Sequence, residues 1–106
     1  MPRYVIRVLD SNANLPSLER TVQQAEELGF TAVCVAAGTV GGRPANILTL
    51  VHDAPAGTVS LDAISGDADD KQQSDRVTAV AAGKTVISYG GVYAGGVLNN
   101  VAMIRA

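Results

Sequence analysis

The sequence predicts an α/β (α+β) domain of tandem duplicated β-α-β-β units, with one mixed or antiparallel sheet carrying two helices on one face. Three observations lead to that expectation. Runs rich in β-branched residues alternate with two longer stretches of helical character. The order strand, helix, strand, strand occurs twice in 106 residues, and glycines recur at matching places 54 positions apart.

Tyr4 to Leu9 is rich in β-branched and aromatic residues and stops at Asp10-Ser11-Asn12, so it reads as a strand ended by a turn. Pro16 suits a first helical turn. Leu18, Val22, Ala25 and Leu28 then recur at helical spacing until Gly29 supplies a stop. The opposite face, with Glu19, Arg20, Gln23, Gln24, Glu26 and Glu27, reads as solvated. Thr31 to Val40 is apolar at nearly every position, as in a strand buried on both faces. Gly41-Gly42 makes a hairpin turn, Arg43-Pro44 the corner, and Ala45 to Val51 the returning strand.

After a loop from His52 to Gly57 the order repeats. Thr58 to Ile64 is a strand, Asp67 to Ala82 a helix, Thr85 to Ala94 a strand, Gly95-Gly96 a turn and Val97 to Ile104 the last strand. Gly29, Thr31, Gly41, Gly42 and Asn46 meet identical residues at Gly83, Thr85, Gly95, Gly96 and Asn100. These matches divide one domain, 1–106, into pseudo-repeats 3–53 and 57–106. They are stronger in the hairpins than in the helices. The shared glycines close helices and permit turns with positive φ, which are structural duties.

One domain of this length can bury a core of its own. A net charge of −2 with scattered cations argues against nucleic acid. The longest apolar runs are too short for a membrane helix, and no secretory leader is visible, so a soluble, cytoplasmic protein is expected. One cysteine, Cys34, and one histidine, His52, cannot build a Cys/His metal centre. No cofactor motif is present and no cofactor is expected. Two helices can cover one face of a sheet, so the other, a flat Ala/Val/Gly surface, calls for a partner. That predicts a homo-oligomer, a dimer in the simplest case, and leaves room for a small-molecule or protein ligand.

No constellation of catalytic residues stands out. Ala36 to Gly42 and Gly90 to Gly96 could present backbone amides to an anion, but neither runs into a helix N-terminus as a phosphate loop does, and hairpin turns explain the glycines. Arg7 and Arg43, with Tyr89 and Tyr93 on one face of their strand, are candidate ligand-binding residues. Asp67, Asp69 and Asp70 crowd a helix start and read as caps, and Cys34 as an inert thiol in an apolar strand. His52-Asp53 is an acid/base pair without a nucleophile beside it, and Arg20 and Arg76 lie solvated on the two helices.

Pro2 is the candidate catalytic residue. Removal of Met1 would make it a secondary amine at a strand start, whose pKa burial can lower enough for it to serve as a general base. An amino-terminal proline before duplicated β-α-β units resembles the tautomerase superfamily. That resemblance implies enol chemistry with Pro2 as base and an arginine, here Arg7 or Arg43, at the substrate.

The composition thus favours a non-enzymatic oligomeric module binding a small molecule or protein partner. The alternatives are the tautomerase-like enzyme and a phage or assembly component whose units build a ring or layer.

Overall fold

The computed structural model describes residues 3–52 and 57–106. Eight elements follow in order: β1 (Tyr4–Leu9), α1 (Leu15–Glu27), β2 (Phe30–Val40), β3 (Arg43–His52), β4 (Val59–Ile64), α2 (Asp70–Ala81), β5 (Thr85–Ala94) and β6 (Val97–Arg105). The architecture is α+β.

The expected single sheet is corrected to two three-stranded antiparallel sheets, β1-β3-β2 and β4-β6-β5. In each, the third strand of its half runs back between the other two, so β1 and β2 never pair directly. Pro44 fits because β3 meets only β2 there, β1 joining from Asn46 onward, so the missing amide interrupts one ladder at most. Bulges at Val33 and Ile87 shift the β2/β3 and β5/β6 registers.

The two helices do not share a face. On β6 the side chains alternate. Val101 and Met103 join the main core with Leu18 and Val22 of α1 and Leu48 and Leu50 of β3, whereas Ala102 and Ile104 pack with Ala81 of α2. Thus α1 lies against the inner faces of both sheets, and α2 covers the other face of the second sheet. Among the described residues no helix or strand covers the outer face of the first sheet. On it Tyr4, Ile6 and Val8 lie opposite Val51, Thr49 and Ile47, and they are 63%, 56% and 54% exposed. The expectation that Thr31–Val40 and Thr85–Ala94 would be buried on both faces is corrected accordingly, with Val33, Val40 and Val86 exposed.

The helix ends follow the sequence chemistry. Asn14 caps α1, accepting from the Ser17 amide at 2.9 Å, with Pro16 in the first turn. The second helix starts at Asp70 rather than Asp67, because Asp69 is the cap and forms a capping box with Gln72.

The face of α1 expected to be solvated is where the two halves meet. Glu19 accepts from the Leu61 amide at 2.8 Å, Gln23 donates to the Val59 carbonyl at 2.9 Å, and Glu26 is buried. Edge strand β4 thereby finds partners for its backbone in side chains of the first half. A second joint lies at the β5–β6 hairpin, where the Gly95 and Gly96 amides donate to the Ala13 and Ser11 carbonyls at 2.8 Å each. Among the described residues no helix is long and apolar enough to cross a membrane.

Candidate functional site

Strand β1 alternates, so the residues that turn away from Tyr4, Ile6 and Val8 are Val5, Arg7 and Leu9. They face α1. Between them and the C-terminal part of that helix runs a cleft of about 180 Å³, floored by Leu48 and Leu50 and rimmed by Arg7, Thr21 and Gln24. Val5 and Phe30 also wall a second compartment of about 280 Å³ with Arg3 and His52. The His52 ring stands edge-on to Phe30 at 5.3 Å, and its amide donates to the Arg3 carbonyl at 3.2 Å, which fixes the strand end beside this compartment.

The groove is apolar at its base and cationic along one wall. Arg3, just before β1, and Arg7, four positions on within it, are both exposed, and neither has an ion-pair partner among the described residues. Among the described residues no carboxylate lines either compartment.

The other candidates go elsewhere. Tyr89 does share a face of β5 with Tyr93, but its hydroxyl donates to Gln73 of α2 at 2.6 Å, beside a shallow depression lined by Asp70, Ser74 and Val77. Tyr93 is gripped through its backbone: its amide donates to Asn46 Oδ1 at 2.8 Å and its carbonyl accepts from Asn46 Nδ2 at 2.7 Å. Arg43 is exposed at the hairpin corner, opposite Val40. Arg7 and Tyr89 therefore line different depressions. Pro2 and Asp53 lie outside the described residues.

Cys34 is half-buried opposite Thr49. The Gly95-Gly96 turn is not a free amide cradle, since both amides are already bonded to the Ala13 and Ser11 carbonyls. Arg20 makes only an exposed 3.9 Å contact with Glu27. Among the described residues no three His, Cys, Asp or Glu side chains converge on a possible metal position.

The strongest electrostatic feature is structural. Glu26 accepts from Arg105 Nη1 at 2.9 Å and from the Ala32 amide at 2.8 Å, with the two side chains only 6% and 14% exposed. Its hydrogen bonds to the guanidinium, with their Coulombic attraction, hold Arg105 above its ordinary pKa against the opposing effect of burial. The sequence held one signal of it, an arginine directly after the apolar run Val101–Ile104 of the last strand. No family model matches this chain, and no curated protein or solved structure matches it.

Proposed function

We propose that this chain is a non-enzymatic binding module that works as a homo-oligomer, with the outer face of the β1-β3-β2 sheet as the contact between copies. The supporting observation is a comparison of the two halves. Internal duplication is itself part of the proposal. It rests on the bulges at Val33 and Ile87, 54 positions apart, on the paired glycine turns, and on the caps Asn14 and Asp69, 55 positions apart. With that one-residue offset, Leu18, Val22 and Glu26 of α1 match Gln73, Val77 and Ala81 of α2.

By the same matching, Tyr4, Ile6, Ile47 and Thr49 correspond to Val59, Leu61, Val101 and Met103. The second set is at most 4% exposed, because the first half of the same chain covers it. Its counterpart in the first half is uncharged, with Tyr4 and Ile6 exposed and Ile47 and Thr49 half-buried. A second copy is the occupant that repeats the internal arrangement with a like unit. Two such faces would bury on the order of 1,000 Å², the lower bound for a specific association.

Light scattering behind size exclusion at micromolar concentration tests this. A dimer is expected, with Ile6→Glu returning a folded monomer. A stable wild-type monomer overturns the reading, and a higher mass changes the assembly to a ring or layer. The competing reading is the Pro2-dependent tautomerase-like enzyme. An intact mass that retains Met1 removes it. If Met1 is absent, turnover of an enol substrate that is lost in Pro2→Ala would put it in place of the module.

A further inference from the structure

We propose that the groove between β1 and the C-terminal part of α1 binds a small amphipathic monoanion, an aliphatic carboxylate whose head pairs with Arg7 and whose chain lies over Leu48 and Leu50 toward Phe30. The inference rests on the binding-module reading and supplies its ligand class.

Three features of the site select that chemistry. The floor is fully buried leucine, which gives an aliphatic chain an apolar surface from which water is readily displaced. Among the described residues the only charges along both compartments are the guanidinium groups of Arg7 and Arg3, with His52 the one further titratable group, in a chain that is acidic overall. Arginine presents a planar fork of donors matched to a carboxylate, and among the described residues neither guanidinium is committed to an acid.

Size sets the rest. The compartments share Val5 and Phe30, and their 180 and 280 Å³ together fall in the lower part of the range of small-molecule sites, about 300–1,000 Å³. That accommodates a chain of roughly eight carbons. Thr21 and Gln24 on the α1 rim offer neutral hydrogen-bonding groups beside Arg7.

The test is a series of butanoate, hexanoate and octanoate, with 1-octanol as the neutral control, titrated into the full chain and followed by amide chemical shifts and calorimetry. Affinity should climb about fourfold per methylene, with shifts confined to β1, the end of α1, Phe30 and the Leu48-to-His52 end of β3. Arg7→Gln, at an exposed position without a partner to lose, should weaken octanoate about tenfold and leave octanol unchanged. Arg43→Gln should change neither. The proposal is overturned if octanoate fails to saturate by about 10 mM, if octanol binds as tightly, or if Arg7→Gln has no effect. Light scattering on the same samples separates the two readings. A dimer that ignores octanoate removes the ligand class and keeps the module, whereas a monomer that binds octanoate removes the oligomer and keeps the site.

Discussion

Glu26 on α1 and Arg105 on β6 stand 79 residues apart in sequence and form a buried ion pair that joins the two halves of the chain. The same carboxylate also holds the Ala32 amide at the start of β2. One acidic side chain therefore connects the first helix, the strand after it and the last strand.

Removing that charge leaves a guanidinium buried without its partner. Glu26→Gln should lower unfolding stability by about 3 kcal/mol in urea titrations, far more than the loss of a surface pair. Glu26→Gln combined with Arg105→Met should cost less than the two single changes added together. Additive losses would mean that the two side chains are not coupled.

The pH dependence follows from the same pair. Arg105 is a cation whose pKa is raised on folding, so its contribution is complete below the ordinary arginine value and is lost only as pH climbs beyond it. Titration of Arg105 should thus leave stability unchanged between about pH 6 and pH 10. An Arg105→Lys variant carries a group that titrates near 10.4, so its deficit relative to wild type should widen above about pH 10. Thermal melts across the alkaline range will read this, and a constant deficit would contradict it.

Asn46 and Asn100 are matched in sequence but not in duty. The Asn46 side chain is wholly buried and pairs with both backbone groups of Tyr93, acting as a substitute strand. Asn100 is half-buried and makes no side-chain hydrogen bond among the described residues. Asn46→Leu should cost about 2–4 kcal/mol by orphaning the Tyr93 amide and carbonyl, while Asn100→Leu should cost under about 1 kcal/mol. Chemical denaturation of the two variants decides it, and equal losses would refute the asymmetry.

Much of the secondary structure was legible because the punctuation is explicit. Glycine pairs at 41–42 and 95–96, Pro16 in the first helical turn, the capping cluster Asp67, Asp69 and Asp70 and the β-branched runs place all eight elements to within a few residues. The sheet count was not legible, since nothing in β1 or β4 states whether they join one ladder or two. Glu19, Gln23 and Glu26 read as a wet face because their partners, the β4 backbone and Arg105, are brought to them only by tertiary folding. Arg7 was identifiable by residue type. Its groove needed the parity of β1 and the position of α1, and Arg3 and Phe30 gave no separate signal.

The contact between Glu26 and Arg105 also constrains the order of folding. Closing so long a loop costs chain entropy before any contact repays it, and β4 stays unpaired on its α1 side until the first half arrives. A β-α-β-β half that draws part of its core from its neighbour gives up autonomy. Each half carries half of the other's interior, and a cut between them should yield two fragments that become ordered only when mixed.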